Sequence, residues 1–584
     1  MCRKLILLLG LALPALVLPT ATVAEPLPPA SQWISPDAVI ALKLPAPKAL
    51  LDLVLNPKLI EAVTSLPDYE KQVSQPGFQQ FQGLIQYLEG RLQTDWKTGL
   101  RKLTSGGVTW AISPNRSNLV VVDAEDGRML EQVHEVFLAI ADREAAKRKQ
   151  PGRAPSEQYQ GVTIATLGNG GAHAIVGNRL LLSNRAEAIK AALDLRAKPG
   201  GESLASLPAY QAAQRAAGAD ATARLYVNLA MLNQFPPLER ALENAANPVA
   251  ALLSASVTDA LRQSNWLSLA LRVEGGTLTL QAAADGKPAS SGAAAFASPS
   301  QPEEGALPNL SVPRRIAAAS VYRDLHGFYA AKDKLFPERT SGLIFFENMM
   351  GIFFSGRDLT EEVLSQARPE IRFVVAEQQF DPAIGTPQVQ LPAFAAIFRL
   401  RHPQEFGEVV EEAWQKALGL MNITSGQKAL PGMIIDRRSH GDTRFSLAYY
   451  SAAGEKSKTD LDVRFNYRPA LVRLGDCLIL SSTDGLAIDL IDALQQEMAG
   501  PLRPLPQTHT LLEIDGAQVA GILAVNRQNL VRQNMVEKGN TPEQAEKEVG
   551  MVIAAMKYLD QLNLTLGSRD GQTSASLKVK LNLP

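Results

Sequence analysis

The residues best suited to chemistry in this chain are six histidines, His134, His173, His326, His402, His440 and His509, since an imidazole ligates metals and moves protons near neutral pH. No two stand at i, i+2 or i, i+4, and no cysteine accompanies them. A metal would need ligands assembled only by the fold, so neither a metal site nor a cofactor is expected. Nucleophilic chemistry has no better support. No Gly-x-Ser-x-Gly elbow presents a serine on a strained turn, and Ser105 in Thr104-Ser105-Gly106-Gly107 reads as a turn residue. Cys477, in Asp476-Cys477-Leu478-Ile479-Leu480, has an apolar strand context that predicts a buried, inert thiol. Gly168-Asn169-Gly170-Gly171 has His173 where a dinucleotide loop needs its third glycine, and it reads as a hairpin turn between strand-like segments 162–167 and 173–176. No catalytic residue is assigned.

Two patterns suit binding. In Arg464-Phe465-Asn466-Tyr467-Arg468 the alternation predicts a strand with Arg464, Asn466 and Arg468 on one face, where arginine forks grip a carboxylate or a sugar. The plainer reading is a sheet with one wet face. Tyr449, Tyr450 and a turn at 454–458 precede it, in a stretch without a counterpart in the first half of the chain. The second pattern, Leu343-Ile344-Phe345-Phe346-Glu347-Asn348-Met349-Met350-Gly351-Ile352-Phe353-Phe354, is hydrophobic on nearly every side as a helix. It is either a core helix or a surface for an apolar partner, and a carrier of apolar molecules would line a hollow with Phe345, Met349 and Phe353.

The elements that must position these residues occur twice, around a Pro/Ser/Gly-rich stretch at 286–313 that reads as a linker. An alternating run leading to a helix stands at 38–44 and again at 316–322. Tyr87-Leu88-Glu89-Gly90-Arg91-Leu92-Gln93-Thr94 resembles Phe353-Phe354-Ser355-Gly356-Arg357-Asp358-Leu359-Thr360, with Gly90 and Gly356 as helix C-caps and Thr94 and Thr360 as N-caps of the next helix in each half. A turn, strand and helix begin at Gly177-Asn178 and at Gly475-Asp476. Strands at 225–229 and 511–515 each precede a long helical region, and each half closes in a hairpin, turning at Gly275-Gly276 and at Asp570-Gly571. Short strands alternating with helices and ending in hairpins predict an α+β fold, two related lobes from an internal duplication, each an antiparallel sheet packed by helices. The seam between the lobes is where a cleft is expected.

The Leu204-Ala205-Ser206-Leu207-Pro208-Ala209-Tyr210 segment leading toward Tyr226-Val227-Asn228, with the Gly177-Asn178-Arg179-Leu180-Leu181-Leu182-Ser183 strand before it, resembles the DUF3352 family of secreted bacterial proteins of planctomycete and cyanobacterial type. The resemblance spans most of the first lobe and parts of the second. It implies a signal peptide and repeated α+β modules, and carries over no active-site residue.

Arg3 and Lys4, the apolar run 5–18 and the small residues Thr22-Val23-Ala24 make a signal peptide with cleavage before Glu25. The run is shorter than the roughly 20 residues that span a bilayer. Without Arg3 and Lys4 the 58 basic side chains fall to 56, against 59 acidic, so nothing draws the chain to nucleic acid. The expected division is a signal peptide at 1–24, a first lobe at 25–285, the linker and a second lobe at 314–584. The function expected is that of a non-catalytic binding or structural module in the periplasm or at the cell surface. An envelope protein, a polysaccharide or an apolar ligand is the partner, with no transmembrane segment after cleavage. The alternatives are a hydrolase with its cleft between the lobes, marked by carboxylates with shifted pKa values there, and a carrier of apolar molecules.

Overall fold

The computed structural model describes residues 27–64, 73, 76–125, 127–147, 156–166, 171–198, 200–232, 247–287, 292–455 and 457–582. The expected signal peptide and Gly168, Asn169 and Gly170 lie outside them.

Among the described residues ten strands form before the midpoint of the chain: β1 (Ile40–Leu44), β2 (Gly107–Ile112), β3 (Asn118–Asp123), β4 (Ser156–Tyr159), β5 (Val162–Thr166), β6 (Ala172–Val176), β7 (Arg179–Ser183), β8 (Ala223–Asn228), β9 (Trp266–Glu274) and β10 (Thr277–Ala284). Ten more come after it: β11 (Arg315–Tyr322), β12 (Ala367–Ala376), β13 (Ala393–Leu400), β14 (Ile434–His440), β15 (Thr443–Tyr449), β16 (Ala470–Leu474), β17 (Cys477–Ser481), β18 (Thr508–Asp515), β19 (Leu559–Arg569) and β20 (Gln572–Leu581). Their pairings, all antiparallel, make one continuous sheet. The first half runs β4-β5-β6-β7-β3-β2-β1-β8-β9-β10. The second runs β14-β15-β16-β17-β13-β12-β11-β18-β19-β20, the same order with ten added to each number. Strands β10 and β20 pair at the centre, from Thr277↔Lys580 to Ala284↔Thr573. The four segments that match in sequence fall at equivalent places: β1 and β11, the run into β2 and β12, β7 and β17, β8 and β18. The halves are joined along the seam by the backbone hydrogen bonds between β10 and β20.

The two faces of the sheet differ. One, rich in alanine and hence the small-residue face, lies under helices Ala186–Ala197, Pro208–Ala217 and Asp484–Met498, with Ala41, Ala111, Val121, Leu181 and Tyr226 in the first half and Val374, Ala395, Ile397 and Ile479 in the second, all buried. The other carries the larger apolar side chains. One of its rows runs through register partners Leu182, Val120, Trp110, Leu42, Leu225, Leu269, Ala282, Ala575 and Leu566 across nine strands.

Of the stretch 286–313, expected as a linker, the described residues 292–313 pack against both halves. Its alanines are small enough to sit under neighbours: Ala293 and Ala294 are buried against helix Pro248–Gln263, and Leu310 and Val312 join the second core. The Ala306 N–H donates to the Thr508 carbonyl at 2.6 Å. Beside this strap the Arg323 guanidinium, 2% exposed, donates to the carbonyls of Leu252, Ala297, Tyr322 and His509 and to Thr510 Oγ1, tying a helix of the first half to β11 and β18 of the second. Two capping expectations also change. Gly90 lies inside helix Pro76–Leu92, while Gly356 takes the left-handed φ of +78°. The caps are Asp95, accepting from the Thr98 N–H, and Asp358, accepting from those of Thr360 and Glu361; a carboxylate reaches the first-turn amides and favours the positive helix end.

Candidate functional site

Apolar strands normally bury their larger side chains, because each Leu or Phe removed from water contributes about 1.5–3 kcal/mol. On the large-residue face this is left undone. Leu269, Leu271, Val273, Leu278, Leu512, Leu562, Leu564 and Leu577 are only half-buried. Leu280, Phe373 and Phe394 are 38%, 42% and 54% exposed. Toward the end of the second half this face is closed by helix Pro403–Gln427, whose Phe406 and Val410 pack with Leu471 and Leu478. Among the described residues, no buried cluster includes the large-face residues of β9, β10, β19 and β20.

A separate hollow of about 740 Å³ lies among helices Pro76–Leu92, Trp96–Leu103 and Gly127–Lys147. Phe78, Ile85, Leu88, Trp96, Leu100, Leu103 and Val133 line it, with Gln82, Gln86, Glu89, Thr94 and Gly99. The Trp96-Lys97-Thr98-Gly99-Leu100-Arg101-Lys102-Leu103 helix places Trp96, Leu100 and Leu103 on one stripe by its i, i+4, i+7 spacing and turns Lys97, Arg101 and Lys102 elsewhere. This spacing is the signal the sequence carries for the hollow, and a search confined to chemistry-bearing residues passes over it.

Phe345 and Met349 do not line the hollow. Helix Thr340–Phe353 has no buried residue, so it is not a core helix. Phe345 is 71% exposed and Met349 38%, while Phe353 is half-buried. The hollow belongs instead to Pro76–Leu92, which holds the matching place before β2. Segment 464–468 is not a strand either. A 3-10 turn, Val463–Asn466, breaks the alternation after the Asp462 carboxylate caps the Arg464 N–H. Asn466 turns inward at 1% exposure, accepting from the Leu391 N–H and donating to the carbonyls of Val389 and Val463. Arg464 donates to Glu455, and Arg468 grips Asp484 through two bonds of 3.0 and 2.8 Å. The three residues therefore share no face, and their polar groups hold the insertion between β15 and β16 in place.

The seam has a polar cavity of about 380 Å³ on the small-residue face, lined by Arg215, Arg272, Gln281, Arg569, Asp570 and Ser576 among others. Beside it, Arg272 holds Asp220 through bonds of 2.6 and 2.9 Å and drives its pKa down to about 2. A carboxylate held ionised this way has no proton to exchange near neutrality. Elsewhere His134 and His173 meet edge to face at 4.7 Å, and burial lowers both pKa values, that of His173 to about 4. Among the described residues no three His, Cys, Asp or Glu side chains come together as metal ligands. Cys477 is buried, and desolvation pushes its thiol up to about 12.

No family model matches this chain, and no curated protein does. Among solved structures, crystal form I of TP0453 superimposes at a TM-score of 0.23 with 10% identity, covering 45% of this chain and 80% of that one. Crystal form IV of TP0453 gives 0.23 and 11%, over 43% and 79%. Superposition this loose carries no argument about fold or function. No described helix is long and apolar enough to cross a membrane.

Proposed function

We propose that the protein is a non-catalytic binding module, exported and working in the periplasm or at the cell surface, whose ligand is apolar and lies against the large-residue face of the sheet. The carrying observation is the half-open row of leucines and phenylalanines over β9, β10, β19, β20, β12 and β13. With about 150–250 Å² per Phe side chain and about 25 cal/mol per Å², covering what remains open of Phe373 and Phe394 alone stabilises a complex by about 5 kcal/mol. The exposed side of helix Thr340–Phe353, with Phe345 and Met349, adds a second apolar surface for an envelope partner. The hydrolase reading has less behind it, since of the two carboxylates at the seam cavity Asp220 is bound to Arg272 and Asp570 stands on an exposed hairpin turn. Descent of the halves from one duplicated module, of the kind the DUF3352 resemblance implies, accounts for the shared strand order.

Titration of the full mature chain with 1-N-phenylnaphthylamine tests the reading. Saturable fluorescence enhancement, displaced by added lipid and weakened by Leu280→Asn, is expected. Enhancement indifferent to that substitution would place the probe elsewhere.

A further inference from the structure

The hollow beneath helix Pro76–Leu92 is separate from the sheet face, and we propose that it is a second site, taking the hydrocarbon chain of a single-chain amphiphile with an uncharged, hydrogen-bonding head, such as a monoacylglycerol. The ligand class rests on the apolar-ligand reading under Proposed function; the site rests on other residues. Its volume of about 740 Å³ falls in the range of about 300–1,000 Å³ typical of small-molecule pockets. Phe78, Ile85, Leu88, Trp96, Leu100 and Leu103 give it an apolar wall, and each except Trp96, which is 38% exposed, is half-buried.

Three of the polar lining residues stand on one helix. Gln82, Gln86 and Glu89 succeed one another at i, i+4 and i+7 along the helix that carries Phe78, Ile85 and Leu88, so a chain can lie on the apolar stripe while its head meets the amides. The Glu89 carboxylate accepts from the Trp96 N–H at 2.9 Å, and the Lys97 ammonium stands 5.9 Å from the centre of the Trp96 ring. Glu89 is the one charged residue among the described residues that line the hollow, and its carboxylate already has a donor, so an anionic head is repelled and a neutral hydrogen-bonding head is accepted. Gly99 is buried at the wall, and a Cβ added there meets only Thr94 Cγ2 at 3.5 Å. A larger side chain at 99 therefore grows into the space the ligand would use.

A monoacylglycerol brominated along its chain reads out position, because bromine quenches only nearby indoles. Trp96 lines the hollow, whereas Trp110 stands on the sheet face. In the full mature chain the quench is expected to fall by more than half in Trp96→Phe and in Gly99→Leu, and to survive in Trp110→Phe. Leu88→Gln, at a half-buried position, gives the same loss should Gly99→Leu not fold. A quench that survives Trp96→Phe or the filled hollow overturns the assignment. If Trp110→Phe then removes it, the ligand sits on the sheet near β2; no quench in the unaltered protein ends the assignment of the hollow and leaves the sheet reading to the titration under Proposed function. A brominated fatty acid of the same length is expected to bind at least tenfold more weakly, and equal binding overturns the neutral head.

Discussion

Shortening one leucine on each face of the sheet separates a closed core from an open surface. Leu181 on β7 is 0% exposed, packed with Ile164, Ile189 and Leu193. Leu181→Ala leaves a cavity the surroundings cannot fill, at a cost of about 3–5 kcal/mol. Leu280 on β10 is 38% exposed. Its truncation removes three carbons, worth about 2.4 kcal/mol if fully buried, so with over a third of the surface already wet the loss is about 1.5 kcal/mol. No cavity term is added, because the space opens to water. Guanidinium unfolding monitored by near-ultraviolet circular dichroism measures both. The reasoning fails if Leu280→Ala costs as much as Leu181→Ala, since the large-residue face would then be covered by the protein itself. Ligand at a hundred times its dissociation constant adds about 2.7 kcal/mol to the unaltered chain, and less than about 1 kcal/mol should remain in Leu280→Asn.

Arg323→Met leaves the carbonyls of Leu252, Ala297 and His509 without their shared donor, and a loss of about 3–5 kcal/mol is expected in the same unfolding assay, with Arg323→Lys recovering only part. His509 and His173 have folded-state pKa values of about 3 and about 4, below the ordinary 6.5, chiefly through burial. The unfolded chain therefore binds more protons below about pH 6.5, and stability falls with decreasing pH from there toward 4, by up to about 1.4 kcal/mol per pH unit for each histidine. Thermal melts between pH 7 and 4.5 check the sign, and a rising melting temperature would contradict it. Cys477 is expected to resist iodoacetamide at pH 8 in the native protein and to react after denaturation; native alkylation within minutes would show that its strand opens.

The features legible in the sequence were local. Gly275-Gly276 and Asp570-Gly571 have the positive φ values that a tight hairpin needs, and both hairpins form where the turn chemistry places them. The join of β10 to β20 had no such mark, because pairing between residues about 300 apart is chosen by which edges remain free once each half has folded. Alternation misled at 464–468, where Asp462 caps a turn and Asn466 finds backbone partners inside. It also gave no warning that helix Thr340–Phe353, apolar on nearly every side, would keep Phe345 outside. The stretch 286–313 looked too poor in large residues to pack, yet its alanines fit under helix Pro248–Gln263 for that very reason. The hollow left only the i, i+4, i+7 stripe of Trp96, Leu100 and Leu103 in the sequence, because a cavity is a failure of three helices to meet and one helix records only its own wall.

Native mass spectrometry of the protein purified gently from its own envelope bears most directly on an exported module with an apolar ligand. The expected spectrum shows a chain of residues 25–584 carrying lipid-sized adducts that organic extraction removes, with a lower melting temperature afterwards. A single bare mass, or one retaining Met1, with a melting temperature that extraction leaves unchanged, would contradict it.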